Sequence, residues 1–213
     1  MKEKIANHLL NIKAIFLSPD QPFTWASGIK SPIYCDNRIT LSDPKVRSDI
    51  ESGLAGLIKE NFPSCQVVMG TATAGIAHAA IVAHLLGLPM GYVRSSAKDH
   101  GRGNRIEGRV LPGQKVVVIE DLISTAGSVL DTVEALRQED VEVLGIVSIF
   151  TYGMKKGLDR MTDADISNIS LTDLDTIVDV ASEKGYIKKE DKKKLLAFRD
   201  NPSDESWMQE EGK

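Results

Sequence analysis

A chain of 213 residues can form one large domain, or one domain with a small appendage. Its 42% hydrophobic and 26% charged residues are ordinary for a globular protein, and a net charge of −4 gives no basic surplus for binding nucleic acid. The most apolar stretch, 75–90, is too short for a bilayer and is broken by His78, His84, Gly87 and Pro89, so no membrane partner is expected.

"MKEKIANHLL" lacks the long apolar core of a secretory leader, and the expected location is the cytoplasm. Ile5, Leu9, Ile12 and Phe16 share one face at helical spacing, which predicts a first helix ended by the prolines of "SPDQPF". "TWASGIKSPIYCDNR" reads as strand and turn, with Gly28 in the bend. Cys35 lies here and Cys65 further on. Neither sits in a CxxC or metal-ligand spacing, and both are expected to be reduced. A helix follows over 42–62, with Ser42 or Asp43 as its cap and Pro44 in its first turn.

From there strands and helices alternate. "CQVVMG", "LPMGYV", "KVVVIED" and "VEVLGIVSIF" read as apolar strands. "AGIAHAAIVAHLLG" and "SVLDTVEALRQED" read as helices, the first closed by Gly87. Further strand and helix signals occupy 168–185 and 188–201, and the polar tail from 202 to 213 is expected to fray. The alternation predicts an α/β fold: an open, mostly parallel twisted sheet with helices on both faces. With no repeat and no linker, 1–213 reads as one domain, to which 1–40 contributes a small N-terminal hood.

Ligands of such sheets bind beyond the carboxyl ends of the strands. There the chain places Glu120 and Asp121, followed by Ser124, Thr125, Ala126, Gly127 and Ser128 at the start of a helix. Small residues let backbone N–H groups approach an anion, and a helix N-terminus adds partial positive charge. The turn has neither the GxGxxG of a dinucleotide fold nor the GK[ST] of a P-loop. Two carboxylates beside a phosphate cradle would repel a bare phosphate. They suit sugar hydroxyls, a divalent cation or positive charge developing on a sugar ring, so the ligand implied carries both ribose and phosphate.

Ile119 to Ser128 resembles the 5-phosphoribosyl-1-pyrophosphate (PRPP) motif of type I phosphoribosyltransferases. "YVRSSAKDHGRGNRIEG" contains R-x-x-x-K-D-H-G and resembles the catalytic loop of the orotate phosphoribosyltransferase family. "FTWASGIKSPIYCDNR" resembles that family's orotate-side segment, and "MGTATAGIAHAA" stands in the place of its pyrophosphate loop.

The resemblance implies a role for each stretch. Glu120 and Asp121 would meet the ribose, and Leu122, Ile123, Ser124, Thr125, Ala126, Gly127 and Ser128 would complete the PRPP site. Thr71, Ala72 and Thr73 would face pyrophosphate, and Ser124, Lys30 and Tyr34 the orotate. Arg94, Lys98, Asp99 and His100 would be catalytic, with the loop closing over pyrophosphate on a neighbouring subunit's site, hence a homodimer. Mg²⁺ would ride on PRPP near Glu120 and Asp121 rather than in an all-protein cage. The implied reaction is orotate plus Mg·PRPP giving orotidine 5′-monophosphate and pyrophosphate, in the biosynthesis of UMP. Transfer to a purine base, and a non-catalytic PRPP-sensing regulator, are the alternative readings.

The chain departs from the family pattern in places. Ala26 and Ala74 stand where many members have Lys, and Ser95 where many have a second basic residue. Where some members place an arginine near the orotate carboxylate, "FTYGMKKG" offers Tyr152, Lys155 and Lys156.

Overall fold

A computed structural model describes residues 1–25, 28–96 and 105–209. Helix α1 (Lys2–Asn11) buries Ile5, Leu9 and Leu10. It ends earlier than the apolar spacing predicts. Lys13 takes φ 57°, and the Ala14 N–H closes on the Leu9 carbonyl at 2.9 Å. This left-handed turn ends the helix, and Phe16 falls on a strand instead.

That strand, β1 (Ile15–Leu17), pairs antiparallel with β4 (Ile33–Cys35), and Phe16 stands opposite Tyr34. Between them, β2 (Phe23–Thr24) pairs with β3 (Lys30–Ser31). These two short ribbons form the hood. A 3₁₀ turn over Asn37–Ser42 leads into α2 (Pro44–Asn61). Of the two candidate caps, Asp43 is the one used, accepting from the N–H groups of Lys45 and Val46 at 3.0 Å each.

The rest of the chain alternates. In order come β5 (Val67–Thr71), α3 (Gly75–Leu86), β6 (Met90–Val93), β7 (Ile106–Glu107), β8 (Lys115–Ile123), α4 (Gly127–Arg137), β9 (Glu142–Thr151), α5 (Lys155–Asp163), β10 (Asn168–Asp173), α6 (Leu174–Glu183) and α7 (Asp191–Asp200). The main sheet runs β10-β9-β8-β5-β6-β7, parallel throughout except for the β6–β7 edge pair.

The strands are apolar without interruption because both faces are covered. Val68, Val117, Ile119 and Val147 point into a core shared with α1, α2, α3, α6 and α7. Val67, Met69, Val116, Val118 and Ile146 point into a second core against α4 and α5. From β5 the chain winds outward to β6, and from β8 it winds the opposite way to β9 and β10. The winding therefore reverses between β5 and β8, and a crevice opens at their carboxyl ends. Gly75 lets α3 press into that place, since a Cβ there would lie 2.5 Å from the Ile119 carbonyl oxygen.

The sequence reading assigned no helix to the segment that forms α5. Part of the polar tail packs on the core. Glu205–Met208 form a 3₁₀ turn that buries Trp207, whose ring packs on Phe198 with centroids 5.9 Å apart.

Candidate active site

The end of β8 carries the acid pair. Val116 to Ile119 are fully buried, and the register that places them inward also buries Glu120, which is 4% exposed. Glu120 Oε1 accepts from the Asp121 N–H at 3.0 Å, and Oε2 accepts from the Ser128 hydroxyl at 3.3 Å. Burial first, and then the neighbouring Asp121 carboxylate, push the Glu120 carboxyl well above its ordinary range. Asp121 is only half-buried.

The hood is tied to this strand end. Asn37, fully buried, donates from Nδ2 to the Asp121 carbonyl at 2.7 Å, and the Cys35 thiol donates to Asn37 Oδ1 at 3.4 Å. Burial and the Asp121 charge push that thiol up, so Cys35 is a neutral partner and a poor nucleophile. Cys35 and Cys65 are both free thiols here.

After Ile123 the chain turns through Ser124 and Thr125 into α4. Ala126 makes the entry in a left-handed conformation, φ 59° and ψ 15°, with its methyl group buried. Among the described residues no side chain caps α4 at its N-cap, Ala126, which suits its first N–H groups to a partner outside the helix. The turn is held from behind by α5. Arg160 Nη1 donates to the Thr125 carbonyl at 3.0 Å, and a Cβ on Gly157 would lie 2.4 Å from the Ser124 carbonyl oxygen.

Across the crevice, Thr71 ends β5 with its hydroxyl buried and without a hydrogen-bond partner among the described residues. The Ala72–Thr73 peptide is cis, and the Ala72 N–H bonds the Val93 carbonyl at 3.0 Å. Arg94 follows β6, and its Nη1 lies 3.8 Å from Glu107 Oε1. Arg105 holds the other end of the same loop. Its guanidinium forks onto Asp131 of α4 at 3.1 and 2.5 Å, and its Nε bonds the Arg94 carbonyl at 2.9 Å. Both stems of the loop thus meet on the α4 side of the crevice. Lys98, Asp99 and His100 lie outside the described residues.

The structure therefore brings together Glu120, Asp121, the Ser124–Ser128 turn and Thr71. Lys30 and Tyr34 sit on the hood, where Lys30 bonds the Thr24 hydroxyl at 2.7 Å and Tyr34 packs near Phe23 with ring centroids 5.8 Å apart. A cavity of about 240 Å³ lies between hood and turn. Trp25 and Ile29 line it from the hood, Thr125 from the turn, Met154, Lys155 and Lys156 from the start of α5, and Asp200 to Ser203 from the C-terminal segment. Lys155 and Lys156, noted in the sequence where some family members place an arginine, thus fall on the lining, whereas the contribution of the C-terminal segment was not read from the sequence.

Residues 42–184 match the phosphoribosyl transferase domain family. Over 208 residues the chain is 59% identical to the orotate phosphoribosyltransferase of Bacillus cytotoxicus, a match that spans 98% of this chain and 99% of the relative. The chain belongs to the orotate phosphoribosyltransferase family. It is accordingly an enzyme of the glycosyltransferase class. The solved orotate phosphoribosyltransferase of Aeropyrum pernix superposes with a TM-score of 0.74 at 28% identity, covering 86% of this chain and 99% of that one. UMP synthase of Leishmania donovani shares the fold, with a TM-score of 0.79 at 22% identity. The match covers 92% of this chain, which spans 42% of that longer one. The family's expected open parallel sheet is the fold observed.

Proposed function

We propose that this protein transfers the 5-phosphoribosyl group of Mg·PRPP to orotate, giving orotidine 5′-monophosphate and pyrophosphate. The observation that carries this reading is the meeting of Glu120 and Asp121 with the Ser124–Ser128 turn and Thr71 at the reversal of the sheet. Acids for a ribose, amides for its 5-phosphate and a free hydroxyl for pyrophosphate stand in the order that one PRPP molecule requires. The near-full-length identity to orotate enzymes favours orotate over a purine base and catalysis over sensing.

The tasks divide by charge. Breaking the bond from C1′ to pyrophosphate sends its electron pair to the leaving oxygen and leaves a cationic, flattened ribose. Asp121, half-exposed at the strand end, faces that charge, while Glu120 accepts from a ribose hydroxyl. The α4 N-terminus holds the 5-phosphate, so C1′ is fixed relative to the base. Thr71, Ala72, Thr73 and Arg94 receive the pyrophosphate, and Lys98, Asp99 and His100 complete that shell when the loop closes and excludes water. Lys30, Tyr34 and Ser124 orient orotate.

Among the described residues no group of three or more His, Cys, Asp or Glu could hold a metal ion. Glu120 and Asp121 at the end of β8 could touch a Mg²⁺ carried on the substrate's phosphates, which would neutralise the leaving pyrophosphate. The loop 94–108 serves the partner subunit of a homodimer. No helix among the described residues is long and apolar enough to cross a membrane. We place the enzyme in the cytoplasm, in UMP biosynthesis.

The test is the fall in orotate absorbance when Mg·PRPP is added to the pure protein. Consumption of orotate with stoichiometric pyrophosphate release supports the reading. Pyrophosphate release with adenine, guanine or hypoxanthine but not with orotate overturns it.

A further inference from the structure

The C-terminal segment reaches the site through a run of rings. Trp207 packs edge-on against Phe198 with centroids 5.9 Å apart, and Phe198 against Trp25 of the hood at 5.6 Å. Trp25 in turn packs on Tyr152 at 5.6 Å, and Tyr152 on Phe150 of β9 at 5.0 Å. Lys194 of α7 also bonds Asp20 of the hood at 3.0 Å. Tail, hood and the end of β9 are thus packed as one body. Between Phe198 and Trp207 the chain passes Asp200 to Ser203, which close one side of the 240 Å³ cavity whose other sides are Trp25, Thr125 and Lys156. Trp207 is 5% exposed, and its indole N–H has no hydrogen-bond partner among the described residues. Its contribution is therefore the packing of its ring.

We infer that segment 201–208 is the outer wall of the base site and that Trp207 is a positioning residue for it. This rests on the orotate-transfer reading. The cavity lies against Thr125, one residue from the Ser124 proposed to meet orotate. Its wall residues Asn201 and Ser203 lie in a short turn between the rings of Phe198 and Trp207, closed by the Asn201 N–H on the Ala197 carbonyl at 3.0 Å and the Asp204 N–H on the Asn201 carbonyl at 3.1 Å. Loosening Trp207 frees the wall and loosens Trp25, while Glu120, Asp121 and the α4 N-terminus keep their own supports. Orotate binding should suffer and PRPP binding should not.

Trp207→Ala and Trp207→Phe form the test, with steady-state kinetics for both substrates. Because the chain has two tryptophans, both variants keep Trp25 as their single fluorophore, and orotate quenching of its emission reports occupancy of the cavity directly. The Ala variant is expected to raise KM for orotate about tenfold and KM for PRPP by less than about twofold, the signature of lost ground-state positioning on one substrate. The Phe variant should restore both, since a ring suffices. A merely structural role would lower Tm and active fraction while leaving both KM values alone, and that outcome in a folded Ala variant overturns the inference.

If Trp207→Ala does not fold, Ser203→Trp decides, since it adds bulk at an exposed position on the cavity rim without disturbing the core. An unchanged orotate KM in that variant also overturns the inference. Should wild-type enzyme use a different base, the parent reading fails, and the KM for that base in the same variants still tests the wall.

Discussion

Arg160 donates to the carbonyl of Thr125 at 3.0 Å, so a helix that follows the next strand holds the Ser124–Ser128 turn in place. Gly157, one helical turn earlier on α5, permits that approach. A Cβ there would lie 2.4 Å from the Ser124 carbonyl oxygen, a backbone atom that no side-chain rotation can move aside.

Gly157→Ala should therefore push the turn out of register with the α4 N-terminus. The expected result is a rise of about tenfold or more in KM for PRPP, with a fall in kcat, because a displacement near 1 Å can cost up to about a hundredfold at a positioned site. Gly56→Ala is the control, since its Cβ meets nothing within 4 Å and it lies within α2. Kinetics with PRPP varied at saturating orotate check the contrast. Equal behaviour of the two variants would release α5 from this role.

Glu120 gives a prediction about pH. Its folded-state carboxyl is raised well above the ordinary value of 4.5 by burial and by Asp121. The folded chain thus holds a proton that the unfolded chain has already released. Stability from this group is fully present below the unfolded value and is lost as pH rises through the folded one. Glu120→Gln is neutral at every pH and escapes that loss. Its Tm relative to wild type should be nearly level at about pH 4 and grow increasingly favourable toward about pH 8, while its activity falls. Paired melting curves across that range test the sign. A difference that shrinks with rising pH would mean that Glu120 is ionised and supported in the folded protein.

Much of this site was legible because its signals are local. An apolar run ending in Glu120 and Asp121, then Leu122 and Ile123, then five small residues that open a helix, is one continuous stretch, whereas the reversal of the sheet needs the strand order that only the structure supplies. Asp43 as cap was one of two adjacent candidates, and only side-chain geometry separates it from Ser42. The rest was illegible for physical reasons. Arg160 acts through a carbonyl 35 positions away, which no spacing rule encodes. Trp207 is one aromatic residue in a polar run, so its burial leaves no periodicity to read. The apolar spacing of Ile12 and Phe16 continues past Lys13, where a left-handed residue ends the helix.

Asp121→Asn should separate transition-state from ground-state work. Asn37 holds Asp121 through its backbone carbonyl, so the substitution leaves that anchor intact. An amide still accepts and donates hydrogen bonds, so KM for PRPP should change by less than about threefold. Turnover should fall about a hundredfold, because the cationic ring exists only on the way to the transition state. Measuring kcat and both KM values distinguishes the cases. A higher KM for PRPP with kcat unchanged would assign Asp121 to uniform binding instead.

The last prediction concerns which subunit the loop serves. Arg94 and Arg105 fix the stems of the loop, Arg105 through Asp131 of α4. Lys98 lies between those stems, outside the described residues. If the loop completes the neighbour's site, Lys98→Ala and Asp121→Asn damage different sites of a mixed dimer. One site then carries both defects and the other carries neither. Two nearly inactive parents, mixed and allowed to exchange subunits, should recover up to roughly a quarter of wild-type activity, since random C₂ pairing makes half the dimers mixed and each has one intact site. Mass spectrometry of the native mixture confirms that exchange is complete. With exchange complete and activity still at the parental level, the loop serves its own chain, and sharing across the dimer is wrong even where a dimer exists.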